Sequence, residues 1–244
     1  MDLTSLPLIS TLVSLTYDGL MAVTSLIAPV SGHASAAVAV ALVTLVVRAG
    51  LIPLGVASAR AEQLRSRLAP RLRGLQKRHR RDPERLQRET MALYRAEGAS
   101  PFTGCLPVLA QAPVLGLLYT VFIHSSIAGR PNALLDETLL GVPLGASLAG
   151  EIVQGTAGAG TAIVFAVIIA VIAAVAEATR RLLPVPTSAD GPQVPGGALG
   201  ALQYTTAVIA AFVPLAAAIY LAVTVVWTLG QRLVLRRRYP LASP

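Results

Sequence analysis

Apolar runs long enough to cross a bilayer dominate the pattern of the chain. They lie at 34–57, 101–126 and 158–181, and a further apolar stretch begins near residue 201. The first run, if helical at about 1.5 Å per residue, extends about 36 Å, which exceeds the roughly 30 Å hydrocarbon core. We therefore predict a membrane-spanning helix in each of the first three runs.

The last apolar stretch is predicted to contain two spans. A single helix would leave the three arginines from Arg236 on the outer side, against the positive-inside rule, whereas two helices place them inside. Pro214 is the natural point of division, because proline opens helices and breaks their interiors. The prediction is a short fourth span at 201–213, a fifth at 214–235 and a short basic tail at 236–244.

Charge sets the predicted orientation. Twelve of the 20 basic residues lie within 58–100, with five acids, which indicates a cytoplasmic segment and places the N-terminus outside. The loop at 127–157 has one arginine against three acids, which suits the outer face, and residues 182–200, rich in Pro and Gly, predict a cytoplasmic linker. Residues 1–33 are apolar but interrupted by polar residues. We interpret them as an amphipathic helix on the outer surface, because a sixth span would reverse every charged loop.

The basic segment at 58–100 has helical periodicity. Leucines recur three and four residues apart from Leu64 to Leu75, which predicts one amphipathic helix. Asp82 followed by Pro83 predicts the N-cap of a second helix, and Gly98 predicts its end. The segment is therefore predicted to form an antiparallel helical hairpin with a narrow apolar seam and an arginine-rich exterior.

Composition agrees with an all-α integral membrane protein. Hydrophobic residues make up 54% of the chain, charged residues 13%, and the mean hydropathy is +0.66. The single cysteine, Cys105, excludes an internal disulfide and is interpreted as a packed small residue.

Arg48 is the most informative side chain, because it is the only charge in the run at 34–57. Placing an arginine deep in a bilayer costs at least about 2.5 kcal/mol, so it indicates function. The alternative is a snorkelling or internally paired arginine that only holds helices together.

Other polar residues are expected at similar depth in the inner half of the membrane, where they would form a water-filled recess around Arg48. The alternative for each is ordinary helix packing, with the tryptophan at a membrane interface. These residues are Thr44, Gln111, Thr224 and Trp227.

The hairpin cations have two functional interpretations, contact with anionic lipid headgroups or contact with RNA and acidic proteins. The alternative is a solvated face that serves only as a topology signal. The candidate contacts are Arg65, Arg73, Lys77, Arg78, Arg80 and Arg81.

Catalytic and metal-binding patterns are not found in the sequence. It has no GxxxxGK[ST] loop and no HExxH motif, and its three histidines fall in different regions. Glu177 lies three and four residues before Arg180 and Arg181, which predicts an ion pair. We predict no enzyme activity, no cofactor and no metal.

Two segments carry a resemblance to a known family. They are ETMALYRAEGASP (89–101) and GCLPVLAQAPVLGLLY (104–119), and the stretch from 212 to 237, with its opening proline and late glutamine, agrees with them. Together with an arginine in the first span, this order resembles the YidC family of membrane protein insertases over roughly residues 34–238. The Ala and Arg bias, with a single lysine, suggests a short Gram-positive, actinobacterial-type member.

The resemblance implies a five-helix core around a hydrophilic groove, open to the cytoplasm and to lipid and closed on the outer side, with Arg48 as the groove arginine. Such a protein passes short-tailed nascent membrane proteins from the cytoplasm into the bacterial plasma membrane without nucleotide hydrolysis. The implied partners are nascent membrane proteins and anionic lipids, with the ribosome and the general secretion channel as further candidates, and no DNA.

Two other functions stay open. A membrane scaffold or folding chaperone beside the secretion channel would need the helix faces but not the charge of Arg48. A small transporter would want ionisable residues on more than one span and an internal repeat, and neither is found. The C-terminal tail is short, so any ribosome contact would fall to the hairpin.

Overall fold

Long helices account for most of the fold. The computed structural model describes residues 7–98, 116–183 and 204–241, with side chains from residue 9 onward. Its helices, in chain order, are α1 (Pro7–Ser31), α2 (Ser35–Gly50), α3 (Ile52–Arg78), α4 (Pro83–Ala96), α5 (116–123), α6 (Leu148–Gln154), α7 (Ala159–Leu182), α8 (Thr205–Ala210) and α9 (Leu215–Arg238).

Three stretches of the described chain are long and apolar enough to cross a membrane. They are Ile9–Gly50, which holds α1 and α2, then Ala159–Leu182 and Leu215–Arg238. In α7 both sides are apolar, since Phe165 and Ile172 are buried while Ile163 is exposed. A helix that is apolar all round is typical of a lipid-facing span. The predicted spans at 101–126 and 201–213 lie partly outside the described residues, so the five-span count stays a prediction.

The described chain divides into two units. The core unit comprises residues 7–50, 116–183 and 204–229, and the hairpin unit comprises residues 51–98 and 230–241.

The predicted continuous helix at 34–57 is wrong. α2 ends at Gly50 and α3 begins at Ile52, with a turn at Leu51. Pro53 explains the division, because it has no N–H to donate and its ring would collide with the carbonyl of residue 49 in an unbroken helix. Residues 52–57 therefore belong to the first helix of the hairpin.

One end of the core unit is closed by loops and is here called the loop end (residues 124–158). α1 and α2 are joined by a short 3-10 turn at Gly32–Ala34 and contact each other, and both contribute to an apolar cluster at this end. The cluster also takes in α5, the first turns of α9 and three loop residues. Its buried members are Val13, Leu20, Ala36, Ala37, Val40, Leu118, Val121, Phe122, Ile127, Leu134, Leu144, Ala216, Ala217 and Tyr220.

The N-terminal helix is apolar on its exposed side as well. Leu26 and Val30 are more than four-fifths exposed, whereas Val13 and Leu20 are buried in the cluster. The buried side of α1 thus packs with residues of the loop end. Its predicted position on the outer membrane surface stays a prediction.

A second apolar cluster joins α7, α8 and α9. Alanines at the contact let the helix backbones approach closely, as is common between membrane helices. Its buried members are Val142, Val164, Phe165, Ile172, Ala207, Ala210, Leu215 and Ala218.

The break before α9 is confirmed. α8 ends at Ala210, a turn covers 211–213, and α9 begins at Leu215 directly after Pro214. The loop end satisfies the first N–H groups of α9, since Leu215 N donates to Ala146 O (2.8 Å) and Ala216 N to Leu144 O (3.0 Å). α9 extends through Arg238, so residues 236–238, which were predicted to belong to the tail, are helical.

The loop end holds two small β-hairpins that the sequence did not indicate. β1 (Ser126–Ile127) pairs with β2 (Arg130–Pro131), and β3 (Thr138–Leu139) pairs with β4 (Val142–Pro143), both antiparallel. Each turn has two residues with positive φ, Ala128 with Gly129 and Leu140 with Gly141. Such turns match the twist of the paired strands.

The hairpin unit has the predicted helices. α4 is capped as expected, with Asp82 Oδ1 accepting a hydrogen bond from Arg85 N at 2.9 Å, and Gly98 adopts a left-handed conformation after its end (φ +64°). α3 contacts α4, and an exposed ion pair joins Arg71 to Glu97 at 2.7 Å.

The last turn of α9 and the tail pack on the first half of α3. Arg236 lies 3.3 Å from Glu62, and Gln63 Nε2 donates to Pro240 O at 3.0 Å. Arg60 lies over the Tyr239 ring, 5.5 Å from its centroid, and hydrogen-bonds to its hydroxyl.

Candidate functional site

The candidate site is a change in polarity along α2 and α9 within the core unit. Both helices start in the apolar cluster at the loop end, and the last buried members of that cluster are Val40 on α2 and Tyr220 on α9. One turn further on lie Thr44 and Thr224. At 1.5 Å per residue, Arg48 lies about 12 Å beyond Val40, and Trp227 follows Tyr220 by about 10 Å. Polar side chains therefore occur on both helices at similar distances from the cluster.

Arg48 lies nearer to a helix end than the sequence predicted. It is half-buried and occupies the last turn of α2, two residues before Gly50, rather than the middle of a longer helix. The carbonyl groups at a helix C-terminus carry partial negative charge, which favours a cation there. α2 thus ends on a positive charge.

Thr44 does not offer its hydroxyl proton to a groove in this structure. The side chain is only 1% exposed, and Oγ1 donates to Val40 O at 2.6 Å within the same helix. Its position one turn from Arg48 is as predicted, but its proton is already used. The role predicted for it in a substrate groove stays untested.

Thr224 and Trp227 differ from Thr44. Their polar atoms, Thr224 Oγ1 and Trp227 Nε1, are buried and have no hydrogen-bond partner within residues 7–98, 116–183 and 204–241. An unpaired buried polar group costs about 1–3 kcal/mol. Three residues apart, the two side chains lie on neighbouring positions of one helix face. This face would gain hydrogen bonds if water or a polar segment of another chain entered.

Gln111, the remaining predicted groove residue, lies outside the described residues, as does Cys105. Thr228, which also lies on α9, donates its hydroxyl to Thr224 O at 2.7 Å. No cluster of His, Cys, Asp or Glu suitable for a metal occurs within the part of the chain that the structure describes.

The predicted ion pair at Glu177 is confirmed, and a tyrosine that was not predicted also bonds to this carboxylate. Arg180 makes two hydrogen bonds to the carboxylate (2.8 and 2.7 Å), and Arg181 makes one at 2.5 Å. Tyr204, just before α8, adds a fourth at 2.6 Å. Because Tyr204 is 27 residues from Glu177, no local spacing could have indicated this contact.

The predicted hairpin cations lie on α3 and in the turn that follows it. Arg73 is half-buried, and the others are exposed, namely Arg65, Lys77, Arg78, Arg80 and Arg81. Their predicted contacts with lipid, RNA or acidic proteins stay predictions.

Comparison with known proteins finds one matching family model and similar proteins in several bacteria. Residues 26–242 match the family model described as 60Kd inner membrane protein. A Streptomyces avermitilis protein named Membrane protein insertase YidC is 30% identical over 216 residues, 80% of this chain and 50% of the relative. A protein of the same name from Clostridium perfringens is 42% identical over 33% of this chain and 34% of the relative. Another from Granulibacter bethesdensis is 44% identical over 34% of this chain and 14% of the relative. The chain thus spans half or less of the length of these relatives.

The long apolar helices and this match define an all-helical integral membrane protein of the bacterial inner membrane. The chain belongs to the 60Kd inner membrane protein family, in which its curated relatives carry the name Membrane protein insertase YidC. The resemblance drawn from the sequence motifs is confirmed.

Proposed function

We propose that this protein inserts short-tailed membrane proteins from the cytoplasm into the bilayer. Family membership supports the activity, since the relatives are named as insertases. The observation that carries the mechanism is the polarity change in the core unit, where an apolar cluster fills the loop end while Arg48, Thr224 and Trp227 lie beyond it.

The proposed path uses this polarity change. The client's polar tail enters a hydrophilic groove beside α2 and α9, where Thr224 Oγ1 and Trp227 Nε1 receive hydrogen-bond partners. The groove shortens the hydrocarbon path that polar groups must cross, because water or protein dipoles replace lipid over part of the membrane. The apolar cluster at the loop end keeps the outer side closed.

Arg48 supplies the attraction in this proposal. Its positive charge, at the end of α2, favours acidic residues in the client tail. The client's apolar helix then moves from the groove into lipid, and burial of its apolar surface drives the step without nucleotide hydrolysis.

The proposed orientation follows from charge. The N-terminus and the loop end lie outside, and the hairpin unit and the C-terminus lie in the cytoplasm, because the basic residues concentrate in the hairpin and at Arg236 to Arg238. Partners proposed at that face are nascent membrane proteins, anionic lipids, the ribosome and the general secretion channel.

Insertion of a single-span client into proteoliposomes that contain only this protein tests the proposal. With an acidic client tail, Arg48→Ala is expected to reduce insertion about five- to tenfold, because a charge pair at low effective dielectric is lost, whereas Arg48→Lys keeps most activity. Arg130→Ala is the matched control, since Arg130 is an exposed arginine in the loop end.

Equal insertion by Arg48→Ala and wild type, for acidic and neutral tails alike, would contradict the electrostatic role. If the wild type inserts nothing alone but improves the folding of inserted clients, the folding-chaperone function replaces the insertase.

A further inference from the structure

The hairpin unit contains a groove between its two helices. α3 and α4 border a groove of about 530 Å³ that is largely open to solvent. The groove is lined by Arg71, Gly74, Leu75 and Arg78 of α3 and by Glu89, Ala92, Leu93 and Ala96 of α4.

The floor of the groove is apolar and shallow. Leu75 and Leu93 are half-buried, and the small residues Gly74, Ala92 and Ala96 are exposed beside them. Small side chains on both helices leave a trough into which larger apolar side chains of another chain could fit.

Gly74 has no structural reason to be glycine. It lies inside α3, and a Cβ placed on it would meet, among the described residues, no atom within 4 Å outside its own turn of the helix. Glycine in a helix interior costs about 1 kcal/mol relative to alanine. The absence of a side chain at this position leaves the groove deeper.

The rim of the groove carries two arginines on α3, Arg71 and Arg78, and one carboxylate on α4, Glu89. Arg71 and Arg78 are seven residues apart, two turns or about 10 Å along α3. Arg71 pairs with Glu97, but the two side chains are 66% and 37% exposed, so the pair contributes at most about 1 kcal/mol and an incoming carboxylate could replace Glu97. Residues 58–100 as a whole contain twelve basic and five acidic residues.

We propose that this groove docks an acidic amphipathic helix of a partner protein. Apolar side chains of the helix at positions i, i+3 and i+7 would cover Leu75 and Leu93, and carboxylates two turns apart would pair with Arg71 and Arg78. An apolar floor between charges favours a protein helix, because RNA and lipid headgroups would need only the charges. The proposal does not depend on insertase activity.

The test measures binding of a fluorescently labelled peptide to the full chain in nanodiscs of uncharged lipid. Fluorescence anisotropy of the peptide reports the binding. The probe is an amphipathic helix of about 18 residues, five turns, with leucines on one face and flanking glutamates. The same peptide with lysine in place of glutamate serves as the charge control and is expected not to bind.

Two pairs of variants locate the site. Arg78→Glu is expected to weaken peptide binding about fivefold, while Arg95→Glu, at an exposed arginine of α4 outside the groove lining, changes it less than about twofold. Ala92→Trp fills the groove and is expected to weaken binding at least about tenfold. Gln87→Trp, at an exposed position of α4 outside the groove, is its control.

Three results would overturn the proposal. Equal losses in Arg78→Glu and Arg95→Glu would mean general charge attraction. Unchanged binding in Ala92→Trp would exclude the groove. If the wild type binds polyuridylate or anionic vesicles and Ala92→Trp abolishes that binding, the groove would be assigned to RNA or to lipid. Insertion is not measured, so failure here leaves the proposed function unaffected.

Discussion

Asn132 is a buried polar side chain at the loop end that bonds to the end of α5. It is 3% exposed, and its Nδ2 donates to Val121 O (2.7 Å) and His124 O (2.9 Å). Those carbonyl groups lie at the end of α5, where intrahelical partners are lacking. Asn132 thereby joins α5 to the first β-hairpin.

Replacing Asn132 by leucine should therefore destabilise the protein. Asn132→Leu leaves two carbonyl groups without their donor, and we expect a loss of about 1–3 kcal/mol in unfolding free energy. The thermal unfolding midpoint in nanodiscs measures this, with Arg130→Leu as the exposed control. Equal midpoints for Asn132→Leu and wild type would show that the cap contributes nothing.

Sequence reasoning identifies single residues when their signal is local. Arg48 is evident as a lone charge in an apolar run, and the pairing of Glu177 follows from helical spacing. Asn132 and Tyr204 gave no such signal, because their partners are fixed by tertiary contacts. The position of Arg48 in the last turn of α2 was also missed, since it depends on where that helix ends.

The start of α3 depends on close contact with the end of α9. A Cβ at Gly55 would collide with the side-chain amide of Gln231, the far end of a flexible side chain, so Gln231 has to move aside for any larger residue there. The two residues lie near the Glu62 to Arg236 ion pair in the hairpin unit.

Enlarging Gly55 should weaken this contact, and shortening Gln231 should restore it. We expect Gly55→Leu to lower the unfolding free energy by about 1–3 kcal/mol through overpacking. The double variant with Gln231→Ala should recover more than half of that loss. Gly74→Leu is the matched control, because a Cβ at Gly74 meets nothing. Additive effects in the double variant would contradict the proposed contact.

Helices were easier to predict than their breaks. Long apolar runs and leucine spacing indicated α7, α9 and the hairpin helices, because those signals repeat over many residues. Pro214 was correctly interpreted as a break, whereas Pro53 was not, since the apolar run continues across it. The β-hairpins have two-residue strands, which are too short to show alternation, and their Ala-Gly and Leu-Gly turns are not the usual signal.

The core unit combines an apolar cluster at the loop end with polar side chains further along α2 and α9. Charge and hydropathy predicted the class of membrane protein, and the motifs predicted the family, because both are properties of the sequence itself. The resemblance implied closure on the outer side, but the members of the apolar cluster could not be predicted, since it joins residues from Val13 to Tyr220. Orientation in the membrane still depends on the charge argument alone.

The central claim is that water or client enters beside Thr224. Cysteine labelling tests it most directly, with Cys105→Ser as the background and a water-soluble maleimide added to the cytoplasmic side of membrane vesicles. Thr224→Cys should react, whereas Val226→Cys, an exposed apolar position on the opposite side of α9, should stay unlabelled in lipid. Equal protection of both cysteines would contradict a hydrated groove at α9.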